Sequence, residues 1–186
     1  TYVLAMTPSL PVKSVSELAA LAKSQPGRIR YGSSGVGGAA HLAGELLSSR
    51  AGVEMLHVPY KGGAAMLAAV AGGEVQISFT SLAGGLPLVK AGRITALAVT
   101  SAKRTKTFPD VPTISESGFP GYDLTGWYGL LAPAATSSAI VELLNGEIRK
   151  IVQSSDIQEK FANLGLDATG STPERFKEIM RAQIQT

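Results

Sequence analysis

Short apolar runs alternate along the chain with segments rich in glycine, serine and proline, and this alternation predicts strands followed by helices. Tyr2–Met6 is almost wholly apolar and predicts a first strand. Ser14–Glu17 has the sequence of a capping box, and the apolar positions around it recur at helical spacing. The N-terminal part of the chain therefore predicts one strand and one helix.

A unit of strand, small-residue loop and helix then occurs three times in succession. The first of its helices is predicted over Ala39–Ala51, with Gly52 as the C-cap. Strands that alternate with helices through short loops are typical of the α/β class, with a mostly parallel sheet and right-handed crossovers. The predicted strands are Arg28–Tyr31, Val53–Val58, Val75–Phe79 and Ile94–Val99. The predicted loops are Gly32–Gly38, Pro59–Gly63 and Thr80–Gly85.

The C-terminal part of the chain has a different pattern. Ser101–Gly121 carries prolines among polar and basic residues, and we expect it to be a surface excursion that does not pack. Leu124–Ala132 predicts a further strand, in which Trp127 and Tyr128 are expected to be buried. Three helices follow, the last with its cap at Thr172. Their apolar faces are Ile140, Leu144, Ile148 and Ile151, then Ile157 and Phe161, then a buried stripe of Phe176, Ile179, Met180 and Ile184.

Composition narrows the class of protein. Apolar residues make up 45% and charged residues 17% of the 186 positions, which excludes a disordered or coiled-coil chain. Cysteine is absent, which excludes disulfide scaffolds, zinc–thiolate sites and thiol catalysis. The longest apolar run, Ala64–Ala71, is far shorter than the roughly 20 residues that span a bilayer.

The charge balance favours a small anionic ligand over a nucleic acid. The formal net charge is +3. A nucleic-acid binder concentrates such an excess into a basic stripe interleaved with aromatic residues. Here the dense basic cluster is Lys103, Arg104 and Lys106, with Phe108 as its single nearby aromatic residue. We therefore expect no nucleic-acid partner, while a mild positive field attracts anions.

The three small-residue loops carry the strongest indication of function. Loops after parallel strands emerge at the carboxyl edge of the sheet, where open α/β sheets bind ligands. The helix after each loop offers free N–H groups and a partial positive charge, which suit a carboxylate or a phosphate. The hydroxyl groups of Ser33, Ser34, Tyr60, Thr80 and Ser81 could add hydrogen bonds. The alternative is that the glycines only form tight turns.

Other chemistry finds less support in the sequence. Gly35–Ala40 formally matches a dinucleotide fingerprint, which requires an acidic residue at the end of the next strand. The candidate for this residue, Glu54, lies at the start of that strand instead. A nucleotide-dependent enzyme that uses this loop stays an alternative. His41 and Glu45 have helical spacing but lack a third metal ligand, so a surface pair is expected. His57 is expected to be a hydrogen-bonded histidine of the core or of a loop edge.

Seven motifs, in order and from end to end of the chain, resemble the substrate-binding proteins of tripartite tricarboxylate transporters, also called the Bug family. They are Pro26–Gly37, His41–Leu46, His57–Gly63, Lys90–Val99, Pro109–Thr113, Gly126–Pro133 and Ser171–Phe176.

The resemblance implies a two-lobed fold like that of the type II periplasmic binding proteins, with a ligand cleft between the lobes. Residues 1–124 would form a complete ligand-binding lobe that includes the first crossing strand. Residues 125–186 would supply the return strand and the C-terminal helices of the other, incomplete lobe. The residues matching the family's cleft loops, and implied to bind ligand, are Ser33, Ser34, Gly35, Val36, Gly37, Tyr60, Lys61, Gly62, Thr80 and Ser81.

The implied function is that of a periplasmic or otherwise extracytoplasmic solute-binding protein. It would capture a small carboxylate, such as a di- or tricarboxylate or an acidic amino acid, for the membrane subunits of a transporter. No catalytic residue, cofactor or metal is implied. The family's N-terminal stretch has no counterpart here, so we expect a truncated member or a fragment that binds dicarboxylates weakly and self-associates through its incomplete lobe. A ligand-sensing effector domain of similar architecture is a second alternative.

Overall fold

A five-stranded mixed sheet forms the centre of the first of two units in the computed structural model, which describes residues 1–163, 166 and 168–184. The two units are Thr1–Gly126 and Trp127–Thr186. The strands of the first unit are β1 (Tyr2–Met6), β2 (Arg30–Ser33), β3 (Leu56–Pro59), β4 (Ile77–Ser81) and β5 (Thr95–Val99).

The order of the strands across the sheet is β3-β2-β4-β1-β5. β2 is parallel to β3 and to β4, and Gly32 pairs with Val58 on one side and with Ser78 on the other. β1 is antiparallel to both β4 and β5. Four strands therefore run in one direction and β1 runs in the other, which confirms the predicted α/β class with a mostly parallel sheet.

Helices connect the strands, and local sequence fixes where they begin and end. They are α1 (Val15–Ser24), α2 (Ala39–Ala51), α3 (Gly63–Ala71) and α4 (Leu82–Lys90). The Ser14 hydroxyl caps α1 by accepting the Glu17 N–H at 3.1 Å. The Glu17 carboxylate reaches back to the Lys13 N–H at 2.8 Å, one residue earlier than in the predicted capping box. α2 has the predicted bounds and ends at Gly52 in the left-handed conformation.

The segment between β5 and residue 122 packs more closely than the sequence indicated. Phe108 and Ile114 are buried, and Thr113 forms a parallel bridge with Val99 at the end of β5. The Tyr122 hydroxyl donates to the carbonyl of Ala43 in α2 at 2.9 Å. The prediction of an unpacked excursion is wrong, because prolines stop regular elements without preventing the apolar residues between them from entering the core.

The described residues of the second unit form three helices, α5 (Ser138–Gln153), α6 (Ser155–Asn163) and α7 (Pro173–Ile184). The Thr172 hydroxyl accepts the Arg175 N–H at 3.2 Å, so the predicted cap and start of α7 are confirmed. Phe176, Ile179 and Met180 are half-buried, and the side chain of Ile184 lies outside the described residues. None of the described helices combines the length and the apolar character that crossing a bilayer requires.

The predicted strand over Leu124–Ala132 is absent. A strand requires hydrogen bonds to a neighbouring strand, and within the described part of the chain no strand pairs with this segment. Trp127 is 41% exposed and Tyr128 is 81% exposed, so the expectation that both are buried is also wrong. Trp127 instead packs edge-on against Phe176, with ring centroids 4.7 Å apart.

Candidate functional site

The carboxyl ends of three parallel strands, β3, β2 and β4, lie side by side at one edge of the sheet. Each strand leads within a few residues into a helix, and the N-caps of α2, α3 and α4 are Gly38, Gly62 and Ser81. Three helix N-termini therefore follow this edge, each with backbone N–H groups free of helical partners and with the positive end of a dipole.

The loop after β2 exposes its backbone. Gly35 and Gly37 have φ of 147° and 78°, and a Cβ at either position would meet no atom within 4 Å. Glycine is favoured here by backbone conformation and not by crowding. Val36 between them is 76% exposed, and Ser34 is exposed as well. The open space beside this loop leaves room for a ligand to approach the main chain.

Ser33 ends β2 and is fully buried. Its Oγ lies 3.0 Å from the carbonyl oxygen of Gly35 and accepts the Gly35 N–H at 3.2 Å. The same Oγ lies 2.6 Å from Nε2 of His57. The hydroxyl that the sequence offered as a ligand contact is therefore engaged in shaping the turn that follows it.

Two histidines stack beneath this loop. The rings of His41 in α2 and His57 in β3 have centroids 4.1 Å apart, and Tyr31 of β2 stacks on His57 at 5.0 Å. The Gly37 N–H donates to Nδ1 of His41 at 3.1 Å. The Tyr31 hydroxyl donates to the carboxylate of Glu45, one turn after His41. Burial, followed by the hydrogen bond to Glu45 and its charge, raises the pKa of the Tyr31 phenol.

The predicted surface pair of His41 and Glu45 exists, with Nε2 and Oε1 4.0 Å apart, and His57 is hydrogen-bonded as expected. The stack that joins the two histidines is a feature that sequence reasoning missed. Its signal was the presence of His57 one residue before the end of the predicted strand Val53–Val58 and of His41 in the first turn of a predicted helix. Both positions lie close to the carboxyl edge of a parallel sheet.

The loop after β3 contains Tyr60, Lys61 and Gly62. The Tyr60 N–H donates to the carbonyl of Ser33 at 2.9 Å, which joins this loop to the loop after β2. The Tyr60 hydroxyl donates to Glu74 at 2.9 Å, and burial together with this carboxylate raises its pKa. Lys61 is exposed, and Gly62 has a φ of 97° that favours glycine at the N-cap of α3.

Thr80 and Ser81 lie in β4 and not in a loop, because α4 begins at Leu82. The predicted loop Thr80–Gly85 is therefore wrong in its bounds. Thr80 is buried, and the Ser81 hydroxyl caps α4 by accepting the Gly84 N–H at 3.2 Å. A Cβ on Gly85 would lie 2.8 Å from Cγ2 of Thr80, so the first turn of α4 packs directly on the strand end.

The described residues do not support the two alternative kinds of site, a metal site and a dinucleotide-binding loop. Within residues 1–163, 166 and 168–184 no group of three or more His, Asp or Glu side chains could hold a metal ion. Glu54 precedes β3 altogether and accepts the Gly27 N–H through its carbonyl. β3 itself ends with His57, Val58 and Pro59, where a dinucleotide fold carries its ribose-binding acid.

Comparison with known proteins identifies the family. Residues 1–185 match the family described as the tripartite tricarboxylate transporter family receptor. Protein BugT of Bordetella pertussis is 32% identical over 183 residues, which cover 98% of this chain and 56% of BugT. The chain spans about half the length of the curated relatives it matches.

Solved structures agree with this match. Rpa4515 of R. palustris with adipate is 38% identical and superimposes with a TM-score of 0.90, over 99% of this chain and 62% of that one. MatC of Rhodopseudomonas palustris with bound malate is 27% identical with a TM-score of 0.82, over 98% and 62% of the two chains. Two further structural neighbours are the periplasmic binding protein BugD and a TctC solute binding protein from Polaromonas, and this disfavours the nucleotide-dependent alternative. The chain belongs to the Bug family of tripartite tricarboxylate transporter receptors.

Proposed function

We propose that this chain supplies a carboxylate-binding edge to an extracytoplasmic receptor, which delivers its solute to the membrane subunits of a tripartite tricarboxylate-type transporter. Family membership supports this function, and the periplasmic binding proteins among its structural neighbours support the location. The observation that carries the proposal is the position of three helix N-termini behind three adjacent strand ends.

A small carboxylate suits this edge chemically. Free N–H groups at a helix N-terminus donate to carboxylate oxygens, and the helix dipole favours a negative charge there. Lys61 is exposed within the edge and adds a positive charge, and the whole chain carries a formal net charge of +3. Adipate and malate, the ligands of two structural neighbours, are both dicarboxylates, so a dicarboxylate is the first class to test.

The ligand-binding residues divide by the kind of contact they would make. Val36 would present its backbone N–H beside the open space around Gly35 and Gly37, whose own N–H groups are bonded to Ser33 and His41 and would shape the loop. Ser33 and Thr80 are buried, so their part would be to hold the strand ends and the loop in place. The remaining members of the site would be the exposed Ser34 and Lys61, together with Tyr60, Gly62 and Ser81.

We further propose that residues 1–124 correspond to a ligand-binding lobe and residues 125–186 to part of a second lobe. The division of the chain into units near Gly126 supports this assignment. A carboxylate bound at one open edge of the sheet stays mostly hydrated, because the protein contacts it from one side. We therefore expect this chain to bind dicarboxylates with millimolar or weaker affinity.

Titration by NMR tests the site, because chemical shifts detect binding as weak as this. Adipate or malate added to the ¹⁵N-labelled chain should shift the amide signals of residues 34–38, 60–63 and 81–85. The uncharged analogue 1,4-butanediol should shift none of them. Shifts that instead follow ionic strength alone, or that appear at the opposite edge of the sheet, would contradict the proposal.

A matched pair of glycine variants sharpens this test. Gly37→Val should weaken binding at least tenfold, about 1.4 kcal/mol, because its side chain obstructs the approach of the ligand to the backbone. Gly52→Val places the same side chain at a similar φ of 61°, also with no atom within 4 Å, at the far end of α2. It should leave the affinity unchanged. If both variants weakened carboxylate binding equally, the cause would be backbone strain and not the loss of a binding loop.

A further inference from the structure

The loop between β2 and α2 lacks the usual side-chain cap. The N-cap of α2 is Gly38, which has no side chain to accept a hydrogen bond from the first turn. His41 is the third residue of the helix, and its Nδ1 accepts the Gly37 N–H at 3.1 Å. In a capping box a Glu or Gln at this same position reaches back to the start of its helix. His41 makes a similar contact through its imidazole ring, but with the residue before the N-cap, Gly37.

Nδ1 can accept this hydrogen bond only while it carries no proton. The neutral imidazole then carries its proton on Nε2, which lies 4.0 Å from Oε1 of Glu45. A protonated ring presents N–H groups at both nitrogens, so the Gly37 N–H would face a donor and lose its partner. The hydrogen bond between His41 and Gly37 is therefore lost when Nδ1 of His41 takes up a proton.

The second histidine acts on the other end of the same loop. Ser33 has one hydroxyl proton and two acceptors within reach, the Gly35 carbonyl oxygen at 3.0 Å and His57 Nε2 at 2.6 Å. When Nε2 of His57 is unprotonated, the hydroxyl can donate to it. When Nε2 carries a proton, it donates to Ser33 Oγ and the hydroxyl turns to Gly35. The tautomer and the protonation state of His57 thus select between two hydrogen-bonding arrangements of the turn.

The two rings are coupled because they stack 4.1 Å apart. Two imidazolium rings at this separation repel each other. The other titratable groups that face the pair are Tyr31 of β2, which stacks on His57, and Glu45 of α2, which accepts the Tyr31 hydroxyl. Burial, and then the charge of His41, lowers the pKa of His57, while the charge of Glu45 partly opposes this shift.

We propose that His41 is a positioning residue that holds the Gly35–Gly38 loop in its anion-binding form, and that protonation of the His41–His57 stack releases this loop. The proposal rests on the proposed function of the loop, and it adds a pH control to that site. Carboxylate affinity is then higher at pH 8 than at pH 5, because an imidazolium ring cannot accept the Gly37 N–H.

Hydrogen exchange on the ligand-free chain tests the positioning role without any carboxylate. The Gly37 amide of the wild-type chain should show a protection factor at pH 8 that falls at least tenfold at pH 5. His41→Gln retains an acceptor at the capping-box position, so it should keep the protection at both pH values. His41→Leu removes the acceptor and should lose the protection at both. Amides in the last turn of α2 report whether each variant is folded.

Carboxylate binding gives the second part of the test. With malate as the probe, wild-type affinity should fall at least fivefold between pH 8 and pH 5, while that of His41→Gln should fall only by the smaller amount that protonation of malate itself causes. Equal Gly37 protection in the wild type and in His41→Leu, or protection that is independent of pH in the wild type, would overturn the proposal. If no form of the chain binds malate while Gly37 protection follows the expected pattern, the proposed function fails and the positioning role of His41 stands.

Discussion

Gly44 of α2 packs against the ring of Tyr31 in β2. A Cβ on Gly44 would lie 2.3 Å from Cε2 of Tyr31, far inside contact distance. Gly44→Ala should therefore displace Tyr31 from its stack with His57 and lower the free energy of unfolding by roughly 1–3 kcal/mol, the usual cost of overpacking. Urea unfolding followed by circular dichroism measures this change.

Gly146 is the matched control, because it is also a glycine inside a helix but its Cβ would meet no atom within 4 Å. Gly146→Ala should raise the free energy of unfolding, or leave it unchanged, through the better helix propensity of alanine. A loss of stability in Gly146→Ala as large as that in Gly44→Ala would show that the contact with Tyr31 is not the cause.

At the scale of single residues, the sequence predicted which hydroxyl groups lie at the carboxyl edge of the sheet, but it did not predict what each of them contacts. Ser33, Tyr60 and Ser81 were chosen for their hydroxyl groups, and each of these hydroxyls is engaged within the protein. The orientation of a side chain at a strand end depends on the elements packed beside it. The stack of His41 on His57 has the same origin, since it joins a helix to a strand that is distant in sequence.

At the scale of elements, the prediction succeeded where local chemistry decides the boundary. β1, α2 and the start of α7 have the predicted bounds, because an apolar run, a C-cap glycine and a threonine–proline start act locally. Three strands, β2, β3 and β4, are shifted towards the C-terminus relative to their predictions, for example Val53–Val58 against Leu56–Pro59, while β5 begins one residue late and ends at Val99 as predicted. The ends of a strand depend on pairing with neighbouring strands, and the pattern of apolar residues along the sequence does not specify this pairing.

The segment after β5 provides the test at this scale. Ile114 is fully buried, and its N–H donates to the carbonyl of Val99 at 3.0 Å. Ile114→Ala should lower the free energy of unfolding by roughly 2–5 kcal/mol, through lost burial and the cavity left behind. The control is Ile151→Ala in α5, where the isoleucine is 56% exposed, and it should cost far less. Equal and small effects in thermal unfolding would restore the interpretation of this segment as an unpacked excursion.

At the scale of the whole molecule, the two units differ in how far they bury their apolar side chains. The first unit buries a continuous core that extends from β1 to Tyr122. In the second unit α5 has no buried residue, although its apolar side chains recur at helical spacing. The sequence predicted this apolar face but could not show whether it is covered, because burial depends on what packs against the helix.

The exposed apolar face of the second unit leads to a prediction about association. Leu130 and Leu131 are more than 70% exposed, and Leu143 and Leu144 on α5 are more than half exposed. Large exposed apolar side chains are typical of interaction surfaces. We expect a second copy of the chain to cover them, so the average mass measured by light scattering should rise with protein concentration.

Charged substitutions on α5 test this expectation, because burying a glutamate without a partner is costly. Leu143→Glu combined with Leu144→Glu should weaken self-association at least tenfold, about 1.4 kcal/mol, and return the chain to a monomer. Leu42→Glu is the control, since Leu42 is similarly exposed at 54% but lies on α2 of the first unit, and it should leave association unchanged. A wild-type chain that stays monomeric over the whole concentration range would show that a second copy does not cover this face. An effect of Leu42→Glu as large as that of the double variant would place the contact outside the second unit.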